Sequence, residues 1–364
     1  MLNLALVGTG QISERFLRQA QRRTDVRFVA TCARRLASAE AKAREHGIGL
    51  WYDDYLKMFD EVRPDGVVVA TPNSLHAAPA IAALERGVHV LCEKPMATAL
   101  ADCQAMVDAA EKSGACLMCL PFDADLGFMT ALAYLNEATL GKFTGGESML
   151  LIPGHPRDNW YYDRRISGGA LLDCLVYPVS RLVSLLGPAK RVSGMVNTLI
   201  TKRIVGEGRT VASDIDDNDT LIIEWETGQQ AVVRTLWGTS MTRNDTTVYG
   251  RRGTLWLTHN QLVIHSPEAP IHGADPATWQ GLDHCYRVPM PPAGRDESQI
   301  DHFVESIASG TEPKSSGRLQ LHVHEILFKG YLAAQTGSTQ ELQTRFTLWH
   351  PLDKGFFDTR GTYI

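Results

Sequence analysis

The chain lacks three features that would narrow its class at once: a surplus of basic charge, a long hydrophobic run and a group of closely spaced cysteines. Its 364 residues carry 36 Lys and Arg against 41 Asp and Glu, a net charge of −5. A nucleic-acid-binding surface needs clustered positive charge, so this balance argues against such a partner. No apolar run approaches the roughly 20 residues that span a bilayer, so we expect no membrane segment.

The cysteines and the acidic or histidine-rich stretches suggest no metal site. Seven widely spaced cysteines favour reduced thiols and a cytoplasmic location. Cys116-Leu117-Met118-Cys119 has a C-x-x-C spacing, but on a strand its thiols point to opposite faces. The acidic stretch 214–219 lacks the glycine and distal glutamate of a calcium loop, and we interpret it as a polar approach to a strand. His322 and His324 do not share a helix face. We therefore expect no metal.

The hydrophobic pattern predicts two domains of different construction. Residues 1–120 alternate short apolar strands with amphipathic helices, which predicts a parallel sheet covered on both faces, as in a Rossmann dinucleotide-binding domain. In residues 121–364, strands between 192 and 264 are separated by turn residues, which predicts an α+β domain with a large, mostly antiparallel sheet. We predict a helix over 171–186, with Pro178 marking a kink or a first turn, and a loop over 266–294.

A glycine-rich turn follows the first predicted strand and opens the first helix. The segment reads Gly8-Thr9-Gly10-Gln11-Ile12-Ser13. Gly8 permits a tight turn, Gly10 allows a pyrophosphate to approach the backbone, and Ser13 takes the place of a third glycine. The helix amides would then face the phosphates. We predict dinucleotide binding by residues 8–12, while a purely structural turn is the alternative.

The end of the second strand indicates which dinucleotide is preferred. NAD-binding proteins usually place an acid there, about 20 residues after the turn, for the ribose 2′-hydroxyl. This chain has Arg34 and Arg35 instead. A guanidinium can bind a 2′-phosphate, so NADP is favoured and NAD remains possible. The alternative is a solvated helix start.

Two further segments close predicted strands and complete a resemblance. They are Thr71-Pro72-Asn73-Ser74-Leu75-His76 and Glu93-Lys94-Pro95. With the glycine turn, and with Asn159-Trp160 and the segment 168–173 further on, they resemble the glucose–fructose oxidoreductase/inositol dehydrogenase (Gfo/Idh/MocA) family over nearly the whole chain. Relatives often carry an Asn-Arg or aromatic-Arg pair where this chain has Leu120-Pro121-Phe122-Asp123, which weakens the transfer of substrate contacts.

The resemblance implies a fold, a reaction and a set of site residues. It implies a Rossmann domain followed by a domain with an open sheet that makes a homo-oligomer, a dimer or a tetramer. It also implies hydride transfer between a nicotinamide and a sugar, cyclitol or related polyol. Lys94 corresponds to the active-site lysine, with a cis bond to Pro95, and its ammonium would stabilise a developing alkoxide. The residues expected to border the cofactor are Thr71, Asn73, His76, Glu93, Lys94 and Trp160.

Asp173 and Tyr177 are the expected partners of Lys94 in catalysis. They lie four residues apart on the predicted helix and hence on one face. Many relatives have a histidine where this chain has Tyr177, and the tyrosine resembles the branch of dihydrodiol dehydrogenase and glucose–fructose oxidoreductase. A phenol, whose reference pKa is near 10, needs electrostatic help to act as acid–base near neutrality. A packing role for Tyr177 and a capping role for Asp173 are the alternatives.

The sequence leaves two other functions open. One is a glycosidase or lyase that uses tightly held NAD for transient oxidation of a sugar carbon. The other is a non-catalytic nicotinamide sensor, against which the presence of both Lys94 and Tyr177 argues.

Overall fold

The structure is a computed structural model that describes residues 1–121, 126–156, 159–258, 261–268, 270–289 and 298–351. Phe122 and Asp123, which depart from the family pattern, lie outside these ranges. The chain forms two compact units. The first comprises Met1–Phe122, Asp163–Gly168 and Glu297–His324, and the second comprises Asp123–Tyr162, Gly169–Asp296 and Glu325–Ile364.

The helices and strands follow one another in the order that the hydrophobic pattern predicts over most of the chain. The helices are α1 (Ser13–Ala20), α2 (Leu36–Glu45), α3 (Tyr55–Val62), α4 (Ala77–Leu84), α5 (Leu100–Ser113), α6 (Leu126–Leu132), α7 (Glu137–Leu140), α8 (Arg164–Ser167), α9 (Val176–Leu186), α10 (Gln299–Ser309) and α11 (Gly317–Thr336). The strands are β1 (Leu2–Val7), β2 (Val26–Cys32), β3 (Leu50–Tyr52), β4 (Gly66–Val69), β5 (His89–Cys92), β6 (Leu117–Cys119), β7 (Phe143–Ile152), β8 (Arg191–Asn197), β9 (Lys202–Val205), β10 (Arg209–Ala212), β11 (Asn218–Glu224), β12 (Gln230–Trp237), β13 (Arg243–Gly250), β14 (Thr254–Thr258), β15 (Leu262–His265), β16 (Asp275–Trp279), β17 (Leu282–Val288) and β18 (Gln340–Glu341).

A six-stranded parallel sheet organises the first unit, which confirms the predicted Rossmann-like construction. Its strand order is β3-β2-β1-β4-β5-β6. Leu4, Val68 and Leu91 on the central strands are completely buried, as expected for a sheet covered on both faces. The register aligns the last residues of β2, β1, β4 and β5, so the loops that follow these strands leave from one edge.

A ten-stranded mixed sheet forms most of the second unit. Its order is β16-β17-β15-β14-β13-β7-β12-β11-β8-β18, and the neighbours are antiparallel except for the pair β7 and β12. This confirms the predicted large, mostly antiparallel sheet. Along β11 the side chains alternate: Leu221 and Ile223 are buried, whereas Ile222 is exposed.

The prediction of a loop over residues 266–294 is wrong in its central part. Strands β16 and β17 pair there as a hairpin at the edge of the large sheet. Most of their side chains are exposed or half-buried on both faces, so the alternation that marks a half-buried strand is absent.

The predicted helix over residues 171–186 begins as a wide π-helical segment, Leu171–Leu175, and continues as α9. Pro178 lies in the first turn of α9, which agrees with the predicted position. Because proline has no N–H, it cannot bond to the carbonyl of Cys174 four residues earlier.

Among the described helices, none alone is long and apolar enough to cross a membrane. The bent pair Arg164–Asp173 and Val176–Leu186 meets the criteria of length and composition together. Nearly all residues of α9 are buried inside the protein, as in a core helix.

Candidate active site

The glycine turn closes tightly against the neighbouring strand end. Gly8 has φ +99°, and a Cβ at this position would lie 2.4 Å from the carbonyl oxygen of Ala70, which follows β4. Ser13 is buried and its hydroxyl donates to the carbonyl of Gly10 at 2.6 Å. Only glycine therefore fits at position 8, while Ser13 secures the turn from inside the helix.

The tip of the turn is open. A Cβ on Gly10 would meet nothing within 4 Å. Gly10, Gln11 and Ile12 are exposed, and Thr9 is half-buried. This arrangement leaves space for a pyrophosphate beside the amino end of α1, where amide groups and the helix dipole favour an anion. The residues present fit a dinucleotide.

These two glycines allow a matched test of the turn. We expect Gly8→Ala to lower the free energy of unfolding by about 1–3 kcal/mol or more, because it combines a positive φ with a backbone clash. Gly10→Ala should stay within about 0.5 kcal/mol of the wild type, since its Cβ enters open space, yet it should weaken dinucleotide binding. Denaturant unfolding and a cofactor titration measure the two effects. Equal stability of both variants would contradict this reading of Gly8.

Arg34 and Arg35 follow β2 at the same edge of the sheet. The amide of Gly8 donates to the carbonyl of Cys32 at 2.9 Å, so the glycine turn and the end of β2 are in direct contact. Both arginines are exposed just before α2. Within the described part of the chain neither guanidinium forms an ion pair, which leaves both available to an anionic ligand.

Glu93 is fixed at the end of β5 by a contact that the sequence pattern did not reveal. It is 5% exposed, and its Oε1 accepts a bond from Arg15 Nη2 of α1 at 2.7 Å. Its Oε2 accepts from the backbone amide of Lys94 at 3.0 Å. The acid therefore ties the start of α1 to the backbone that carries Lys94, which itself is half-buried.

His76 lies completely buried between two loops of the sheet edge. Its Nδ1 lies 2.7 Å from the carbonyl oxygen of Pro95, and its Nε2 lies 2.8 Å from that of Thr71. Burial lowers the pKa of His76, and a neutral ring donates to only one of these two carbonyls at a time. The structure thus assigns His76 to holding the loop that follows β4 against the Lys94–Pro95 turn, whose peptide bond is cis.

A second buried histidine supports the same turn, although its sequence context gave no sign of it. His324 of α11 accepts the backbone amide of Met96 on Nε2 at 2.8 Å, and its Nδ1 lies 2.7 Å from the carbonyl oxygen of Gln320. Burial lowers its pKa to about 4, so the ring stays neutral and can accept at Nε2. The backbone after Lys94 is therefore held at both Pro95 and Met96.

The other residues of the loop after β4 are also engaged locally. The hydroxyl of Thr71 donates to the carbonyl of Leu75 at 3.0 Å, which closes the short turn Asn73–Leu75. Asn73 is 4% exposed, and its amide donates to the carbonyl of Ser167 at 2.8 Å. Together with Gly8 and Lys94, these residues line the carboxyl edge of three adjacent strands, where α/β sheets bind their ligands.

The second unit places Asp173 and Tyr177 on one continuous helical run. Asp173 is 1% exposed and lies in the π-helical segment, while Tyr177 is half-buried at the start of α9. Single π-turns occur frequently at functional sites because they change the direction of the following side chains. Trp160 is half-buried and stacks on Tyr161 with ring centroids 3.8 Å apart, and Tyr161 stacks in turn on His155 at 3.9 Å.

One group of possible metal ligands occurs within the described residues: Glu14, Glu45 and His46. The ammonium of Lys42 pairs with both Glu14 and Glu45, so a cation already lies between these carboxylates. These residues therefore form an ion-pair network.

The parallel sheet and the open glycine turn at its carboxyl edge are the features of a dinucleotide-binding protein. Residues 2–120 match the oxidoreductase family with an NAD-binding Rossmann fold, and residues 128–256 match the GFO/IDH/MocA C-terminal domain. The chain belongs to the Gfo/Idh/MocA oxidoreductase family, as the sequence motifs predicted.

Characterised relatives and solved structures share this organisation. The chain is 26% identical over 278 residues to scyllo-inositol 2-dehydrogenase (NADP(+)) IolU of Bacillus subtilis, covering 74% of this chain and 78% of that protein. It is 26% identical over 345 residues to D-xylose 1-dehydrogenase (NADP(+)) 2 of Haloferax volcanii, covering 93% and 98%. The structure of levoglucosan dehydrogenase in complex with NADH superimposes with a TM-score of 0.79 at 21% identity, covering 94% and 99%, which shows the shared fold.

Proposed function

We propose that this oxidoreductase interconverts a hydroxyl and a carbonyl group on a sugar, a cyclitol or a related polyol, with NADP preferred over NAD. The nicotinamide, when bound, accepts or supplies the hydride. Support for the substrate class comes from the names of the relatives, which are dehydrogenases of an inositol and a pentose with NADP(+).

The observation that carries the proposal is the support built around Lys94. Its preceding residue is held by Arg15, and its following backbone is held by His76 and His324. A half-buried lysine on a backbone fixed at three points is preorganised to place its ammonium on a substrate oxygen. A solubilising surface lysine would need no such support.

We assign the roles from the chemistry of the side chains. Lys94 polarises the reacting oxygen and stabilises negative charge on it. Tyr177 exchanges the hydroxyl proton, and Asp173 orients the substrate. Gly8, Thr9, Gly10, Gln11 and Ile12 hold the pyrophosphate, and Trp160 offers an aromatic face to the nicotinamide or to a sugar ring. Thr71, Asn73, His76 and Glu93 shape the edge of the cofactor site.

The cofactor preference gives a direct test at Arg34. We expect Arg34→Ala to weaken NADP binding by about 1.5–3 kcal/mol, the range for a hydrogen bond to a charged group, and to leave NAD binding nearly unchanged. Arg35→Ala tests the neighbouring guanidinium in the same way. Arg22→Ala is the matched control, because this exposed arginine precedes β2 and so lies at the opposite edge of the sheet. Equal weakening of NADP and NAD would refute the 2′-phosphate contact.

The reaction is tested by a panel of sugars, cyclitols and diols assayed with NADP and with NAD. Substrate-dependent change in nicotinamide absorbance supports the proposal. Cofactor that stays bound through purification, with product formed but no net absorbance change, would indicate transient oxidation during glycoside elimination instead. Dinucleotide binding without turnover of any polyol would indicate a sensor.

We also propose that the protein is a cytoplasmic homo-oligomer, a dimer or a tetramer that associates through the large sheet. Met195, Ile222 and Val232 are exposed at 75%, 43% and 43% on the adjacent strands β8, β11 and β12. An apolar row on an open sheet face suits a second copy of the chain. All seven cysteines are unpaired, which fits a reducing compartment.

A further inference from the structure

Three buried aspartates, Asp216, Asp217 and Asp219, lie in the second unit, within the stretch 214–219 that the sequence suggested was only a polar approach to a strand. Asp216 and Asp219 are both 0% exposed. Asp219 occupies an inward position of β11, on the same face as the buried Leu221 and Ile223. A carboxylate in such a position is costly unless it is paired or neutralised, so its presence calls for a physical cause.

Asp216 acts as the cap of the helical run that carries the proposed catalytic side chains. Its Oδ2 accepts the backbone amide of Leu171 at 2.6 Å, and its Oδ1 accepts the hydroxyl of Tyr331 from α11 at 2.7 Å. A Cβ on Gly169 would lie 2.1 Å from that Oδ1, so only glycine leaves room for the carboxylate. Negative charge is favourable at this helix end, where Asp216 accepts the amide of Leu171.

Asp219 has no comparable partner. Neither of its oxygens receives a hydrogen bond of normal geometry from an N–H or O–H group of the described residues. A backbone interaction with Asn197 of β8 favours the charged form but offsets only part of the effect of burial. Asp216, three residues earlier and also completely buried, acts on Asp219 through its charge and a side-chain hydrogen bond. Two ionised carboxylates repel each other, whereas one proton between them makes a short, strong bond. Burial, and then the charge and the hydrogen bond of Asp216, raise the pKa of Asp219 to about 10.

The guanidinium of Arg203, which lies on β9, makes no hydrogen bond to Asp219. Arg203 of β9 is paired with Asp217 at 2.8 Å, and it also donates to the carbonyl of Trp237. Asp217 further accepts the amides of Leu199 and Ile200. The guanidinium of Arg203 therefore pairs with the neighbouring Asp217, and the phenol of Tyr331 donates to Asp216.

We propose that Asp219 and Asp216 share one proton, as a carboxylic acid and a carboxylate, and that this pair fixes the start of the helical run bearing Asp173 and Tyr177. The proton comes from solvent on folding, and no bond to carbon is made or broken. The positioning part of this inference rests on the proposed function, while the shared proton does not. Both aspartates are positioning residues.

Asp219→Asn tests the shared proton without any substrate. The amide keeps the shape and a donor toward Asp216 but cannot titrate. The infrared spectrum of the wild type at neutral pH should contain the carbonyl stretch of a buried carboxylic acid, and Asp219→Asn should lack it. Asp217→Asn is the matched control, because its carboxylate is paired with Arg203, and it should retain the band. Absence of the band in the wild type would overturn the proposal.

The pH dependence of stability gives a second readout. The folded wild type keeps a proton that an unfolded aspartate releases above its ordinary pKa, so this group makes folding less favourable as pH rises from about 4 to about 10. Asp219→Asn has no group that titrates at this position, so its stability should not fall in this way. The melting temperature of the variant minus that of the wild type should therefore increase as the pH rises across that window. A difference that does not change with pH would overturn the proposal.

The positioning role is read from the kinetics of two variants. Asp219→Leu removes the donor and should lower kcat while leaving the KM for NADP unchanged, whereas Asp219→Asn should restore most of the turnover. Equal losses in both variants would refute positioning through the shared proton. The infrared and stability tests need no substrate, so their results do not depend on whether the protein turns over a polyol. Failure of the proposed function and failure of the shared-proton inference can therefore be distinguished.

Discussion

Replacing Lys94 by methionine is expected to reduce turnover by about 10²–10³-fold, the range found when one donor to a developing oxyanion is removed. Methionine keeps the length of the side chain and removes the ammonium. The backbone supports from Arg15, His76 and His324 bind main-chain atoms or Glu93, so they should persist in the variant. Steady-state kinetics with the best substrate of the polyol panel measure the loss, and a cofactor titration reports the integrity of the site.

Lys112→Met provides the matched control for this substitution. Lys112 is an exposed lysine near the end of α5, and we expect wild-type turnover from its variant. Lys94→Arg keeps the charge on a larger, planar group and should recover only part of the activity. Full activity in Lys94→Met would remove Lys94 from the mechanism.

Replacing Tyr177 by phenylalanine is expected to reduce turnover by about 10²–10⁴-fold, the usual contribution of a positioned general acid or base. The aromatic ring remains, so helix packing and NADP affinity should change little. The measurement is kcat and the dissociation constant for NADP on the same preparation. A fall in kcat with unchanged NADP affinity would assign the hydroxyl to chemistry.

Tyr249→Phe is the control for loss of a phenol elsewhere in the same unit. The hydroxyl of Tyr249 donates to Glu147 on the large sheet at 3.0 Å. We expect that variant to keep its turnover. If Tyr177→Phe also kept its turnover, Tyr177 would be a packing residue and the proton would have to be exchanged by another group.

The fold of the first unit could be predicted from the sequence because its strands are short and apolar and are separated by turn residues. Val7, Val69 and Cys92 end adjacent strands, and the residues after them carry the motifs. Periodicity and motif spacing are local properties, so they suffice to predict this edge. Strand β3 escaped prediction because three half-buried or exposed residues, 50–52, carry too short a pattern.

The contacts that support Lys94 could not be predicted in the same way. Arg15 meets Glu93 across 78 positions, and His324 meets Met96 across 228. Such pairings depend on how elements pack, and a single sequence contains no record of them. The spacing of His322 and His324 predicts no shared site, because the two lie on different helix faces, yet one buried histidine is enough to accept one amide.

Asp219 shows a different limit of pattern analysis. An acid next to a strand is normally a solvated terminus, and the acidic stretch 214–219 supported that interpretation. The structure instead extends β11 back to Asn218 and turns Asp219 inward. A prediction from hydrophobic periodicity ends a strand wherever a charged residue takes an inward position. It therefore misses an acid that lies inside a strand in a protonated or paired form.

The parallel pairing of β7 with β12 also constrains how the second unit can be made. β7 is the earliest strand of the large sheet in the chain, and both of its neighbours, β12 and β13, come about 85 residues or more later. During synthesis both edges of β7 must therefore stay unpaired until β12 has emerged at residue 237, and one edge until β13 has emerged at residue 250. Non-local pairing of this kind slows folding and exposes strand edges to aggregation. The time that a ribosome takes between β7 and β13 is the interval in which the nascent protein is most exposed to misassembly.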